Sequence, residues 1–154
     1  MIGIFANRSA KQVQRQEIQA AADTMVHRGP DDGASYFSKD GRFGVEYRRL
    51  SIVDIAGDRQ PLISRDGAIC VTVNGEIYNH KDLRKELEAL GHEYTTNSDS
   101  EAVLHGYEEW GNNVVKRLKG MFALAVYDSN GGPDRRGKLL LARDRMGIKP
   151  MYYS

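Results

Sequence analysis

The sequence predicts an α+β domain in which antiparallel strands form layers and a few helices cover them. Short apolar runs separated by turn residues recur along the chain, and this pattern is typical of β-hairpins. Other stretches repeat apolar residues at spacings of three and four, which is typical of amphipathic helices. The 154 residues suffice for one domain with one sizeable core, and no repeat or linker divides them.

The N-terminal part predicts a strand followed by a helix. Residues 2–6 form an apolar run, and Ser9 with Gln12 has the spacing of a capping box at a helix start. We expect the helix to end near Gly29, because Pro30 disfavours helical backbone at the residue before it. The apolar face of this helix would consist of Ile18, Ala21, Ala22 and Met25.

Two hairpins are predicted in the middle of the chain. The turn residues 39–41 and Asp66-Gly67 each separate two strand-like runs. A short apolar segment over 51–54 and a loop over 56–61 connect the two hairpins. The paired runs are 34–38 with 42–50, and 62–64 with 68–74.

The last strand of the second hairpin ends in an unusual polar cluster. Asn74-Gly75 is the strongest two-residue hairpin signal, yet no matching strand follows it. A side-chain amide, a flexible backbone N–H and the carboxylate of Glu76 are therefore gathered at a strand end. Such a cluster can hold a carbonyl oxygen with two donors and an amine beside it. A simple polar turn is the alternative interpretation of the same residues.

Helices dominate the next stretch. A helix over 80–91 is predicted from the spacing of Leu83, Leu87 and Leu90. A short strand over 94–96 follows, and then Ser98 with Glu101 has the spacing of another capping box. The helix that starts there would bury Val103, Tyr107 and Trp110 and would stop at Gly111.

Two strands are predicted to complete the domain, over 121–127 and 138–143, with a long polar turn between them.

Composition excludes several classes of function. The formal net charge is +1 with acids and bases evenly mixed, which argues against binding to nucleic acid or to an anionic membrane. Cys70 is the one cysteine, so the chain has neither an internal disulfide nor a cysteine-based zinc site, and a cytoplasmic setting fits best. His80, His92 and His105 lack metal-ligand spacing, so no metal site is predicted.

Six short blocks, taken in order, resemble one family. Together they are similar to the N-terminal glutaminase domain of asparagine synthetases, a class II glutamine amidotransferase domain. The resemblance runs from Met1 to Tyr153, and it implies the N-terminal-nucleophile hydrolase fold, a four-layer αββα sandwich of two antiparallel sheets. The blocks are His27-Arg28-Gly29-Pro30-Asp31, Arg48 to Asp54 (RRLSIVD), Asn74 to Asn79 (NGEIYN), Ser98-Asp99-Ser100-Glu101, Leu118 to Ala123 (LKGMFA) and Arg143 to Pro150 (RDRMGIKP).

The resemblance also implies a glutamine site. Hydrolysis of the glutamine side-chain amide needs a nucleophile, a proton acceptor and stabilisation of an oxyanion. In the family the nucleophile is a cysteine at the mature N-terminus, and its own α-amine is the base. The resemblance implies that Asn74 and Gly75 form the oxyanion hole and that Arg49 binds the α-carboxylate of glutamine. The remaining implied glutamine contacts are Glu76 and Asp99 to the α-ammonium, and the backbone around Leu50, Ile52 and Val53.

One position departs from the family in a way that affects the chemistry. Ile2 stands where the family has its cysteine, and isoleucine has no group that can attack a carbonyl. We also expect Met1 to be retained, because its removal needs a small second residue. Cys70 cannot substitute, since it lies four residues before Asn74, or about 13 Å along a strand. The sequence therefore predicts glutamine binding without hydrolysis.

Further expectations concern partners and cofactors. In the family a synthetase domain follows and uses ATP and magnesium, so we expect no cofactor in this chain and an incomplete C-terminal part. L-Glutamine and a synthetase domain or subunit are the expected partners, and a homodimer is expected if a sheet edge is open. The alternative function is a non-catalytic module of the same origin that senses glutamine or has a structural or partner-binding role.

Overall fold

Hairpin-connected strands and short helices alternate along the chain. The computed structural model describes residues 3–8, 12–29, 32–49, 60–132 and 137–152. No helix in these ranges is both long enough and apolar enough to span a bilayer. The described strands are β1 Gly3–Arg8, β2 Asp32–Phe37, β3 Phe43–Arg49, β4 Leu62–Ile63, β5 Ile69–Ile77, β6 Gly120–Asp128 and β7 Lys138–Arg143, and the described α-helices are α1 Arg15–Asp23, α2 His80–Ala89, α3 Glu101–Trp110 and α4 Val114–Arg117.

The strands form two antiparallel sheets. One sheet has the order β1-β3-β2 and the other has the order β4-β5-β6-β7. Both predicted hairpins are confirmed, with Ala34 opposite Tyr47 in the first sheet and Leu62 opposite Val71 in the second. The predicted final pair of strands is also confirmed as β6 and β7.

The two sheets pack face to face around an aromatic core. The rings of Phe43 from β3 and Tyr127 from β6 are stacked, with centroids 4.3 Å apart and an angle of 4° between their planes. Val45 and Cys70 are buried in the same cluster. The prediction that Cys70 is a small buried core residue is therefore confirmed.

Helices cover the outer face of each sheet. Helix α1 packs on β1 and β3 and buries Ile18 and Ala22. A second core lies between the larger sheet and the opposite helices, and it includes Val73, Leu87 and Val103. The predicted four-layer αββα sandwich is thus confirmed, because helices, two sheets and helices follow one another in that order.

The limits of the first helix differ from those predicted. It begins at Arg15 after an N-cap at Gln14, whereas the prediction placed a cap at Ser9, which lies outside the described residues. The Val13 N–H donates to the Gly41 carbonyl, so the backbone before the helix is held by the β2–β3 turn. The α-helical part ends at Asp23, and a separate 3₁₀ helix over Val26–Arg28 then ends at Gly29, where the prediction placed the end of the helix.

The carboxylate of Glu101 explains two further corrections. It accepts hydrogen bonds from the N–H and hydroxyl groups of Thr95 and Thr96 at 2.6–2.9 Å. These bonds replace the partner strand that a strand over 94–96 would need, and the segment has no strand structure. Helix α3 also begins later than the Ser98–Glu101 spacing predicts, because Ser100 is its N-cap residue and the Glu101 carboxylate is bound to Thr95 and Thr96.

Candidate functional site

Among the residues that the structure describes, no strand pairs with β5 on its β4 side beyond the two-residue strand β4. Along this edge two side chains replace a neighbouring strand. The Val73 N–H donates to Gln60 Oε1 at 2.6 Å, and the Gln60 amide donates to the Val73 carbonyl at 3.0 Å. The Ile77 N–H donates to Asp99 Oδ2 at 2.5 Å. Val73 and Ile77, one at each end of this short stretch of β5, are therefore held by polar side chains from distant segments.

Gly75 lies midway between these two anchored residues. Alternate N–H groups of a strand point to the same side, so the Gly75 N–H is directed to the same edge as those of Val73 and Ile77. Its φ angle is +145°, and a Cβ built on Gly75 would lie 1.9 Å from the carbonyl oxygen of Met121. Glycine is required here, because β5 and β6 approach too closely for any side chain.

Asn74 and Glu76 lie on the face of β5 that points to the smaller sheet. Alternation places them on the same face as Cys70, which is buried between the sheets, and opposite Val73, which faces the helices. Asn74 is half-buried and Glu76 is exposed. Asn74 and Glu76 therefore extend the inter-sheet face of β5 to the end of the strand, where the buried core ends and side chains are exposed to solvent.

Asp99 comes to this strand end from the loop before α3. Its bond to the Ile77 N–H places its carboxylate one residue from Glu76 along the strand. Ser100 Oγ also donates to Asp99 Oδ1 at 3.4 Å. The structure thus brings four of the sequence-predicted site residues together, namely Asn74, Gly75, Glu76 and Asp99.

The other predicted site residues have no described side chain. Arg49 is the last residue of β3, and its backbone pairs with Asp32. Ile2 precedes β1, which begins at Gly3 opposite Arg48. Ile2, Leu50, Ile52 and Val53 lie outside the described residues, so their roles stay predictions.

Asn79 fixes the direction in which the chain leaves the site. Its side-chain amide donates to the Arg117 carbonyl at 3.0 Å and accepts from the Lys119 N–H at 2.8 Å. The Tyr78 N–H donates to the Lys119 carbonyl at 2.8 Å. These bonds hold the start of α2 against the start of β6, which explains why the strand runs to Ile77 and turns directly into a helix.

Asp144 anchors the opposite side of β6. Its carboxylate accepts from the backbone N–H groups of Ile148 and Lys149 at 2.9 and 3.0 Å and of Phe122 at 3.3 Å. Backbone hydrogen bonding, first of all from Lys149, holds the pKa of Asp144 below its ordinary value. Phe122 pairs directly with Gly75, so the final motif of the sequence supports the strand beneath the site.

Sequence reasoning missed Gln60. The sequence predicts only a loop at this position, yet the Gln60 side chain is buried and satisfies both backbone groups of Val73. Local sequence gives no sign of this role, because the partners are thirteen residues apart and meet only when β5 is in its sheet.

Replacing Gln60 with alanine should lower the free energy of unfolding by about 2–4 kcal/mol. The buried N–H and carbonyl of Val73 would both lose their partner, and each unsatisfied group costs about 1–3 kcal/mol. Urea denaturation measures this loss. Gln16→Ala is the matched control, since Gln16 is exposed on α1 and should change stability by less than about 0.5 kcal/mol. Equal effects of the two substitutions would contradict the role of Gln60.

The arrangement suits recognition of an amide and an amino group. The Asn74 amide and the Gly75 N–H are donors for a carbonyl oxygen, and Glu76 and Asp99 are acceptors for an ammonium. The thiol of Cys70 is unsuited to nucleophilic attack, because it is 1% exposed and burial raises its pKa far above the ordinary value.

Comparison with known proteins gives a consistent picture. A family model described as a glutamine amidotransferase domain matches residues 1–154. The glutamine-hydrolyzing asparagine synthetase 2 of Bacillus subtilis (strain 168) is 42% identical over 137 residues, which are 89% of this chain and 17% of that protein. Asparagine synthetase 1 of the same organism is 39% identical over 155 residues, covering 99% of this chain and 23% of that protein. The probable asparagine synthetase of Dictyostelium discoideum is 40% identical over 139 residues, which are 90% of this chain and 24% of that protein.

Two solved structures share the fold. The allosteric regulatory enzyme of purine biosynthesis matches with a TM-score of 0.71 and 20% identity, over 97% of this chain and 38% of that one. The glutamine phosphoribosylpyrophosphate amidotransferase from B. subtilis matches with a TM-score of 0.56 and 20% identity, over 82% of this chain and 34% of that one. The chain therefore spans less than two fifths of each of these enzymes and less than a quarter of the three synthetases.

Proposed function

The chain belongs to the glutamine amidotransferase domain family and is related to asparagine synthetases, and from this premise we propose that it binds L-glutamine without hydrolysing it. In this proposal the substrate lies at the edge of β5 beyond β4. Asn74 and Gly75 donate to the side-chain carbonyl, Glu76 and Asp99 accept from the α-ammonium, and Arg49 binds the α-carboxylate. The backbone around Leu50, Ile52 and Val53 would line the same site.

The position of Asp99 is the observation that supports this proposal most strongly. Asp99 is 24 residues after Gly75 in the sequence, yet its carboxylate contacts the backbone two residues beyond Gly75. Two carboxylates and two amide donors at one strand end match a ligand that carries both an ammonium and an amide. A simple polar turn, the alternative interpretation of Asn74-Gly75, does not require a distant carboxylate at the same place.

Ile2 is the reason to propose binding without turnover. The acyl-enzyme route needs an attacking group with a lone pair, and the isoleucine side chain has none. Cys70 does not replace it, because its thiol is buried between the sheets. The remaining site could then polarise the amide of glutamine, but no covalent intermediate would form.

Calorimetric titration with L-glutamine tests the binding half of the proposal. We expect saturable binding, with L-glutamate and D-glutamine binding at least about tenfold more weakly. Asp99→Asn should weaken glutamine binding by about 10- to 100-fold, because a charge-assisted hydrogen bond contributes about 1.5–3 kcal/mol. The variant keeps an oxygen that can accept from the Ile77 N–H, so its fold should be unchanged. Absence of binding at millimolar glutamine, or an unchanged affinity in the variant, would refute the proposed site.

Release of ammonia from glutamine tests the second half. We expect no release above that of buffer, as measured by a coupled glutamate dehydrogenase assay. Steady release that is abolished by Asn74→Ala would show that a nucleophile other than residue 2 is at work. Such a result would leave the binding site intact and overturn the proposed inactivity alone.

We also propose that the domain acts beside a synthetase domain or subunit, since the relatives are several times longer than the matched region. Met146, Ile148 and Tyr152 are exposed apolar or aromatic side chains near the end of the described chain, and in this proposal they contact such a partner. ATP and magnesium would then belong to the partner. The homodimer predicted from an open sheet edge is the competing association, and sedimentation velocity distinguishes it from a monomer.

A further inference from the structure

Two histidines and a glutamate that are separated in the sequence meet on the helical side of the domain. His92 follows the end of α2, whereas His105 and Glu108 lie one turn apart on α3. One ligand atom from each residue can be chosen so that all three lie within 4.8 Å of one another. The sequence spacing of the histidines gave no sign of this meeting, which arises only in the folded chain. We call these three residues the histidine cluster.

The cluster converges on one carboxylate oxygen. His105 Nδ1 lies 2.7 Å from Glu108 Oε2, and His92 Nδ1 lies 3.4 Å from the same oxygen. Ligand atoms around a tetrahedral zinc ion, with bonds of about 2.0–2.1 Å, lie about 3.3 Å apart. Small changes in side-chain torsion angles would therefore bring the three ligand atoms to the distances that a zinc ion requires.

The far side of each imidazole ring also faces a carboxylate. His92 Nε2 lies 3.2 Å from Glu109 Oε2, and His105 Nε2 lies 3.5 Å from Glu101 Oε1. Metal-binding histidines commonly present one nitrogen to the ion and the other to a carboxylate, which fixes the ring and makes it more basic. Glu109 is such a partner for His92. Glu101 lies at ion-pair distance from His105 Nε2, and this buried nitrogen has no hydrogen-bond partner among the described residues.

Access and chemistry favour a transition metal. The side chains of the cluster are between 12% and 25% exposed, so the site is partly buried but open to ions from solvent. Two imidazole nitrogens and one carboxylate oxygen suit zinc better than magnesium or calcium, which prefer oxygen ligands. The one thiol of the chain, Cys70, lies between the sheets and belongs to a different core cluster.

We propose that His92, His105 and Glu108 bind one zinc ion and that water completes its coordination. The ion takes the place of the proton between an imidazole nitrogen and the Glu108 carboxylate, and the neutral imidazole then carries its proton on the other ring nitrogen. The complex joins the turn after α2 to α3. Zinc binding therefore stabilises the helical layer. It uses none of the residues of the proposed glutamine site at the end of β5.

Titration of the untagged, chelator-treated chain with zinc chloride tests the proposal. We expect micromolar or tighter binding with one ion per chain, and a Tm that rises by about 5–10 °C at a hundredfold excess over Kd. His92→Ala and Glu108→Gln should each weaken binding at least about tenfold. His80→Ala is the matched control, because His80 begins α2 away from the cluster and should leave zinc affinity unchanged.

X-ray absorption of the zinc complex should show nitrogen and oxygen ligands without sulfur. Circular dichroism without zinc verifies that each variant is folded, and Glu108→Gln, which keeps the size of the side chain, serves as the test if His92→Ala is not folded. Absence of saturable binding, an affinity equal in His92→Ala, Glu108→Gln and His80→Ala, or a sulfur ligand would each overturn the assignment.

Discussion

Gly75→Ala should be the most damaging single substitution in the domain, with a loss of about 4 kcal/mol or more in the free energy of unfolding. The added methyl group would lie 1.9 Å from the Met121 carbonyl oxygen and 2.7 Å from the Phe122 Cα atom. Both neighbours are backbone atoms of β6, so neither can rotate away as a side chain would. Relief requires β5 and β6 to separate, which breaks the centre of the larger sheet, and losses of this size are exceptional for one residue.

Gly91→Ala isolates the contribution of the close contact. Gly91 also has a positive φ angle, +100°, but its added Cβ would have no described heavy atom within 4 Å. The control should therefore lose only the conformational cost of alanine at positive φ, about 1–2 kcal/mol. Urea denaturation of both variants gives the comparison. If Gly75→Ala were no worse than Gly91→Ala, the close approach of the two strands would be contradicted.

Ile2→Cys should produce the largest change in activity, a glutaminase rate at least about a thousandfold above that of the unsubstituted chain. Loss of the nucleophile from other acyl-transfer enzymes costs about a millionfold in kcat, so restoring one to the proposed site should recover a large part. The reaction needs the thiol and a free α-amine on the same residue, so Met1 must be removed. Ammonia release and intact mass are therefore measured on the same sample.

Two variants show whether the gain has the expected cause. Ile2→Ala also has a small second residue that permits removal of Met1, but it supplies no thiol and should stay inactive. Asn74→Ala on the Ile2→Cys background should lose about 10²- to 10³-fold, as expected for an oxyanion donor. A processed Ile2→Cys chain that binds glutamine but releases no ammonia would show that residue 2 is not the main defect.

Much of the fold follows from patterns that are local in sequence. The turns at 39–41 and Asp66-Gly67 have flanking apolar runs, and both form hairpins in the structure. Leu83 and Leu87 identify the buried face of α2, and both are buried. Such features depend on neighbours within a few residues, which the sequence displays directly. The four-layer arrangement came from the resemblance of the motif blocks and not from these patterns.

The errors arise where a side chain from elsewhere satisfies the backbone. Residues 94–96 have strand-like side chains, but the carboxylate of Glu101 occupies their backbone N–H groups. Gln60 supports Val73 in the same manner across thirteen residues. Propensity and periodicity describe a segment by itself, so they give no information about such long-range partners.

The residues of the candidate site also differ in whether local sequence could predict them. Asn74, Gly75 and Glu76 are adjacent in sequence, so their chemistry could be predicted together. Asp99 joined them only through the family resemblance, and the structure supplies a physical reason in its bond to Ile77. The meeting of His92 with His105 had no local signal, because a loop and part of a helix separate the two residues.

The side chains bound along the edge of β5 beyond β4 also limit what kind of molecule can bind there. An extended peptide that added to this edge would need a ladder of hydrogen bonds to Val73, Gly75 and Ile77 in succession. Gln60 occupies Val73 and Asp99 occupies Ile77, so a ladder is interrupted on both sides of Gly75. The described side chains therefore interrupt the pairing that a strand-shaped partner would need, which limits edge-to-edge association, and they leave between them the Gly75 N–H that the proposed ligand would use.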